Sequence, residues 1–511
     1  MNIQNNNKMI AFNLVTGILA VVIQFVVSFF LSPFIVRHLG AEANGFTQLA
    51  SNFVMYASLL TVSFNSMAGR FVSVSFHQNK MEQANKYFSS VYATNIFIIL
   101  GLLPISIYVI LYLQDIIDIG NSNILDVKVL FACVFLNFFV SLFASLYSIS
   151  MFVKNAVFYI NLLNVSRIIV NAILLLLFFT LLPIKLYYVT FVALLLSIVI
   201  LPFYVRLHRR LMPLLNFRWT HFSFSSLKDL FLSGMWNTLN QCGYLLNTGL
   251  DLLLANLMIN PYSMGLLAVS KTIPSAIIQL ASTINSNFAP SIVQSWAKGD
   301  NERFLKDLRI SMKISTVLIT IPIMTFCCFG LYFYRLWQPT LDANILTTLS
   351  IIACSIFVPI AGTQALYNVF TASNKLKVNS ISYLIAGVLN VICVYCGIKS
   401  FPDHAIYVIV ITSASLSILR NFIVTLPYTA RILQLKWYEF FKDVAFSFLC
   451  SCINIIISLP FVYFFEITSW AALFAVVVAV ALLTLFIESY LVLNKNERLL
   501  LLHKVGLKKK A

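Results

Sequence analysis

The sequence predicts an all-α, polytopic membrane protein of about fourteen transmembrane helices: two six-helix lobes followed by two C-terminal helices. Three observations predict it. Of 511 residues, 60% are hydrophobic and only 10% are charged, and the mean hydropathy is +0.90, whereas soluble domains carry about 25% charged residues. Apolar runs of roughly the 20 residues needed to cross a bilayer core about 30 Å thick recur along the chain. A shift of 220 residues also lays part of the chain on itself, Asn65 meeting Asn285. A soluble fold of this length would need far more polar side chains to cover its surface. A cytosolic enzyme, a secreted disulfide scaffold and a disordered chain are thereby excluded.

The runs are expected at 9–36, 46–69, 88–113, 127–152, 156–182, 184–205, 230–258, 262–292, 311–334, 344–371, 378–399, 405–430, 443–465 and 468–493. After the polar start MNIQNNNK, the first run is too long for a signal-peptide core and has no small-residue cleavage site, so it reads as a retained helix. Run 262–292 is rich in Ser, Asn, Gln and Lys, which suits a helix lining protein or water rather than lipid. The longest polar stretches are 70–87, 206–229 and 293–310, too short for an attached soluble domain.

Orientation follows from the 34 Lys and Arg residues. With the N-terminus inside, 26 of them face inward, five (Arg37, Lys128, Lys185, Arg335, Lys399) face outward, and three lie within the membrane. That asymmetry is a positive-inside signature with both termini cytoplasmic. It also accounts for the net charge of +17 without nucleic acid as a partner. The tail LLLHKVGLKKK is placed to touch anionic lipid headgroups.

Under the 220-residue shift, Gly45, Leu60, Asn65, Ser66 and Ser75 meet Gly265, Leu280, Asn285, Ser286 and Ser295. Six helices per unit is an even number, so the lobes are expected to share one topology about a pseudo-twofold axis along the membrane normal. This gives an N-terminal lobe at 1–205, a cytoplasmic linker at 206–229 serving as a hinge, and a C-terminal lobe at 230–430. Residues 431–511 hold the two added helices and the basic tail. Such a bundle, with no soluble domain, is the architecture of an alternating-access transporter.

Ionisable residues within the bilayer are costly and mark function by default. Arg167 and Arg420 fall near mid-depth, and Lys271 and Asp251 nearer the outer edge. Few acids accompany them (Asp251, and Glu488 near the inner end of the last helix), so surplus buried cations are expected to await an anion. Arginine suits phosphate because its planar fork binds oxygens bidentately and stays charged. Backbone carbonyls and amide side chains are the structural alternative for absorbing those cations. Asp251 reads either as an H⁺ or Na⁺ coupling site or as a structural partner of Lys271. Arg70 reads as a substrate contact or as a side chain snorkelling to the headgroups. Helix 7 carries Trp236, Asn237, Asn240, Gln241 and Asn247, with 237, 240/241 and 247 expected on one face to bind sugar hydroxyls or to bond neighbouring helices. Pro274, three residues after Lys271, offers a flexible point.

The nine cysteines all fall in apolar runs and read as reduced packing residues. The six histidines (38, 77, 208, 221, 404, 503) are expected in loops or tails. No nucleophile–base pair, metal cluster or phosphate loop is legible in the sequence, so no catalytic residue, metal or cofactor is expected.

The opening FNLVTGILAVVIQFVVSFFLSPFIVRHLGAEANGFTQLASNF resembles the first two helices of Wzx-type polysaccharide exporters, members of the multidrug/oligosaccharidyl-lipid/polysaccharide (MOP) flippase superfamily. The matching residues are Pro33, Arg37, Leu39, Gly40, Glu42 and Gly45. The resemblance implies a flippase in the bacterial inner membrane for an undecaprenyl-pyrophosphate-linked oligosaccharide of O-antigen or capsule type. It implies a cationic cavity, to which Arg167, Lys271 and Arg420 would contribute, flux coupled to an ion gradient, and other polysaccharide assembly proteins as partners. The rivals are an ion-coupled multidrug antiporter of the same superfamily, which would want more acid than base in its cavity, and a membrane polymerase or glycosyltransferase, which would want a sizeable external loop.

Overall fold

The structure is a computed structural model that describes residues 3–286, 288–297 and 301–492. Lys298 and the basic tail, with its expected headgroup contacts, lie outside the described residues, as does the side chain of Lys8. Among the described residues every regular element is a helix, and twelve segments are long and apolar enough to cross a membrane. Two changes reduce the expected fourteen runs to these twelve, each with a physical cause.

The first is α1 (Ile3–His77), one helix holding two runs and broken at Gly40, where φ is 86° and ψ 168°. Its membrane-competent stretch, Val22–His77, counts as one segment of 56 residues, about 84 Å at 1.5 Å per residue and far longer than one crossing needs. Left-handed φ is open to glycine without a Cβ penalty, so Gly40 makes the corner in the opening motif. The second is the run 230–258. A π-helical turn at Leu245–Gly249 divides it, leaving a polar 21-residue helix and an eight-residue one.

The chain divides into two compact units, Met1–Leu245 with Leu252–Gly265, and Leu246–Asp251 with Leu266–Ala511. The first contains α1, α2 (Met81–Leu111), α3 (Leu113–Ile116), α4 (Ile124–Val153), α5 (Phe158–Leu181), α6 (Tyr188–Leu211) and α7 (Phe224–Tyr244). It also takes in nearly all of α8 (Asp251–Met258) and the first half of α9 (Pro261–Ser270). Its core joins Val72, Phe88, Val91 and Leu146 to Met212, Leu215 and Leu230. Small residues let α1 and α7 approach closely. A Cβ on Gly234 would lie 1.9 Å from the Ser63 carbonyl oxygen, and Ser63 and Thr238 share a 2.6 Å hydroxyl hydrogen bond.

The polar stretch after α6 is tied down rather than loose. Asn85 of α2 donates to the Leu214 carbonyl (3.1 Å) and accepts from Asn216 N–H (3.0 Å). Ser89 accepts from Arg218 N–H, and Ser90 accepts from Ser223 N–H while donating to its carbonyl. His208, expected in a loop, is instead buried in the last turn of α6, 3% exposed. Its Nε2 lies 2.8 Å from the Leu215 carbonyl oxygen and its ring stacks on Phe88. The helix outlasts its apolar run and carries the imidazole onto the strap.

The second unit holds the rest of α9, then α10 (Thr272–Ser286), α11 (Ala289–Ala297), α12 (Asn301–Trp337), α13 (Ala343–Ser355), α14 (Phe357–Ile360) and α15 (Tyr367–Ala372). It continues with α16 (Lys377–Ser400), α17 (Ala405–Arg420), α18 (Leu426–Ile432), α19 (Phe441–Phe464) and α20 (Trp470–Val492). Its core packs Met312, Ile314 and Val317 of α12 against Val369, Phe370, Leu426 and Phe440. The expected span 344–371 is broken after α13, where Pro359 cannot donate within a helix, and only Ala343–Ile360 qualifies as a crossing segment.

Asn79, Asn155, Asn374 and Gln434 have φ between 54° and 59°, each ending a helix. The following N–H reaches back five residues in every case, as in Lys80 to Ser75 (2.9 Å) and Lys375 to Phe370 (3.0 Å). These are Schellman caps. Both units also contain one hydrogen bond in the same place. Asn65 Oδ1 accepts from Asn95 (3.2 Å), and Asn285 Oδ1 accepts from Ser315 (3.0 Å), each donor 30 residues farther on.

Candidate functional site

Helix α7 brings part of its polar stripe onto α1. Asn237 donates to Ser66 Oγ at 3.2 Å, so this amide serves as a bond between helices. Trp236, Asn240 and Gln241 are half-buried beside it, and Asn240 Oδ1 is buried without a hydrogen-bond partner among the described residues. Asn247 does not continue that face. The π-turn widens the helix by one residue, and Asn247 instead donates to Ser417 of α17 at 2.8 Å. The expected single face of 237, 240/241 and 247 is therefore corrected to two.

In the second unit the π-turn opens onto Asp251, which is 1% exposed. Lys271 Nζ forms an ion pair with its Oδ2 and also donates to the Thr248 carbonyl at 3.1 Å. Asp251 Oδ1 accepts from Ser413 (3.4 Å), and the same hydroxyl lies 3.3 Å from Asn390 Oδ1. Asn390 in turn donates to the Leu246 and Asn247 carbonyls, which the π-turn frees from regular helical pairing. One acid, one base and a set of amide and hydroxyl groups thus close around a helix defect, a form frequent at functional sites. The lysine ammonium stands where a free cation would otherwise be drawn to Asp251.

Arg420 closes α17 and precedes a second π-turn, Asn421–Thr425. Its Nη2 donates to Tyr367 Oη at 2.5 Å and its Nη1 to Asn379 Oδ1 at 3.4 Å. The guanidinium carbon lies 4.2 Å from the Tyr383 ring centroid, a cation–π contact. Its Nε is buried with no hydrogen-bond partner among the described residues, and its polar contacts include no carboxylate. The cation is fixed in place by neutral groups. Among the described residues its partners are all neutral, and a guanidinium keeps its charge in such a setting.

Arg167 is half-buried on α5 and lies within electrostatic range of Tyr204 on α6. Arg70 is exposed on the last part of α1. The structure thus brings Lys271 and Asp251 together and sets Arg420 apart in its own cage. Sequence reasoning missed Tyr367, Asn379 and Tyr383 around Arg420, and Ser413 and Asn390 around Asp251. Among the described residues no group of three or more His, Cys, Asp or Glu is placed to hold a metal ion.

No family model matches the chain. It is 28% identical over 496 residues, 96% of this chain and 97% of the other, to the uncharacterized membrane protein EpsK of Bacillus subtilis (strain 168). Among solved structures it is similar to the lipid II flippase MurJ in an inward closed conformation, with TM-score 0.67, 14% identity, and 94% and 100% of the two chains covered. It is also similar to an inward-facing multidrug resistance MATE family transporter of the MOP superfamily, with TM-score 0.65, 11% identity, and 85% and 94% covered. The chain is a multi-pass membrane protein with the fold of MOP-superfamily transporters.

Proposed function

We propose that this chain is a flippase that carries an undecaprenyl-pyrophosphate-linked oligosaccharide of O-antigen or capsule type from the inner to the outer leaflet of the bacterial cytoplasmic membrane. It works by alternating access through a cationic cavity, with both termini in the cytoplasm. The observation that carries this reading is Arg420, a guanidinium held by Tyr367, Asn379 and Tyr383 with no acidic partner among the described residues. A pyrophosphate crossing hydrocarbon needs such a charge, and the lipid tail can stay in the bilayer. Arg167 and Arg70 add cationic contacts. Trp236, Asn237, Asn240 and Gln241 offer the polar and aromatic surface for sugars, Asn237 by exchanging its Ser66 bond.

Ion coupling belongs to Asp251 in this scheme. Lys271 acts as a tethered cation that H⁺ or Na⁺ displaces during the cycle, the ammonium then being free to meet the anionic headgroup. A multidrug antiporter for cationic compounds is the weaker reading, because the buried acid at this site is already held by the chain's own lysine.

The test is a lipid extract from the host with this gene deleted. The expected result is accumulation of a completed undecaprenyl-pyrophosphate-linked repeat unit, relieved by the wild type and not by Arg420→Ala. A host that makes full-length surface polysaccharide with no accumulated intermediate would overturn the reading, and drug efflux would then be assayed.

A further inference from the structure

Helices α12, α19 and α20 pack together in the second unit, and their register can be read from three interactions. Arg309 bonds Glu439 at 2.7 Å, an offset of 130 residues, and Cys328 bonds Ser458 at the same offset, so α12 and α19 run parallel. Cys450 of α19 lies within electrostatic range of Glu488 of α20. Ile457 and Phe461 pack with Val480 and Val476, so α19 and α20 run antiparallel. This register sets Asn454 opposite Thr484 and beside Thr325, one turn from Glu488.

These four side chains are buried: Glu488, Thr484 and Asn454 are 0% exposed and Thr325 is 4%. Each carries polar atoms with no hydrogen-bond partner among the described residues: both Glu488 carboxyl oxygens, Thr484 Oγ1, Asn454 Nδ2 and Thr325 Oγ1. Burying so many polar atoms unpaired is unfavourable, and a membrane protein tolerates it where the groups serve a ligand.

Among the described residues no charged side chain pairs with the carboxyl. On α12 no ionisable residue lies between Lys313 and Cys327. Arg309 and Lys313 act on Asp443 at the start of α19. On α19 the ionisable groups facing this layer reduce to Cys450, and on α20 Glu488 is accompanied only by the exposed Tyr490. Ile314, Val317 and Ile321 of α12 and Leu485 supply apolar packing around this layer, and the buried hydroxyls of Thr320 and Ser451 are spent on their own helix carbonyls.

We propose that Glu488, with the hydroxyls of Thr484 and Thr325 as oxygen-bearing neighbours and the Asn454 amide beside them, is a monovalent-cation site in the last two helices, separate from Asp251, where the carboxyl exchanges a proton or an alkali cation. The chemistry requires it to take one or the other. Among the described residues a bare carboxylate here accepts no hydrogen bond and meets no counter-charge, whereas the neutral acid or an oxygen-coordinated cation is compatible with the site. The proposal does not depend on what the protein transports.

Infrared difference spectroscopy on the full-length protein in liposomes tests it, because a protonated carboxyl has a carbonyl band that an ionised one lacks. The expected result is a band in the wild type, absent from Glu488→Gln, that is lost when the ligand state changes. Loss on adding NaCl at fixed pH, and not on adding choline chloride, would identify an alkali cation. Loss only as the pH is raised would identify a proton. A Glu488 band unchanged across pH and sodium would show an inert acid and overturn the proposal. Complete absence of such a band, with Glu488→Gln matching the wild type in every state, would show a permanently ionised group and overturn it equally. Glu488→Asp, which keeps the carboxyl, is expected to retain a band at a shifted position.

Discussion

Gly45 and Gly265, which a shift of 220 residues lays on one another, also lie against one another: a Cβ on Gly45 would stand 3.1 Å from Gly265 Cα. The contact is intolerant from one side in particular. A Cβ on Gly265 would come within 2.4 Å of the Ala41 carbonyl oxygen and 2.8 Å of Glu42 N, and both are backbone atoms with nowhere to go. The corners just upstream correspond as well. Gly40 turns the chain with φ 86°, and Asn260, 220 residues later, turns it by capping α9 through Ser263 N–H at 2.7 Å.

Gly265→Ala is therefore expected to destabilise the protein by about 1–3 kcal/mol, the usual cost of overpacking. Gly45→Ala should cost less, because its nearest obstacle is the mobile end of Met264. Thermal unfolding of the two purified variants in the same detergent checks the order. Equal midpoints would remove the argument for asymmetry.

Arg420→Ala is expected to reduce lipid-linked oligosaccharide export about 10- to 150-fold, the equivalent of the 1.5–3 kcal/mol carried by hydrogen bonds to a charged group. Arg420→Lys keeps the charge and loses the fork, so it should fall between the alanine variant and the wild type. Tyr367→Phe removes one hydroxyl and should cost less than either. The readout is accumulation of the lipid-linked intermediate at matched protein levels.

The helices were largely legible because a transmembrane run is a local property, roughly twenty apolar residues on end. Gly40 was legible as part of a motif, although its positive φ was not. The π-turn at Leu245–Gly249 escaped because a shift from four- to five-residue bonding leaves no mark on composition, and with it went the correct facing of Asn247. The Arg420 cage escaped for a different reason. Asn379 and Tyr367 lie 41 and 53 residues away in sequence, and depth alone marks a buried arginine without naming what it touches. Asp251 and Lys271 were the pair most open to sequence reading, being two opposite charges on consecutive apolar runs.

That pair makes a sharp prediction about stability. Lys271→Met leaves Asp251 buried without its cation and is expected to cost about 3–5 kcal/mol. The double variant Asp251→Asn with Lys271→Met should recover most of that loss, because no charge is left unpaired. Thermal unfolding of the single and double variants measures the coupling. A double variant as unstable as the lysine variant alone would show that Lys271 matters for its packing and not for its charge.

Asn85 holds both a carbonyl and an N–H of the stretch that follows α6. Asn85→Ala is expected to cost about 1–3 kcal/mol, since it leaves buried partners unsatisfied, and to speed proteolysis within 212–218. Cleavage at the wild-type rate would mean that Ser89 and Ser90 suffice to hold the strap.

The same strap decides where the gene can be cut. Charge and polarity put a boundary at residue 205, yet a fragment ending there would leave Asn85, Ser89 and Ser90 without their backbone partners and Phe88 without the imidazole stacked on it. A fragment that runs through Ser223 keeps all four. Split expression, domain exchange with a relative, or insertion of a reporter should therefore treat residues 206–223 as a piece of folded structure that travels with the first half of the chain.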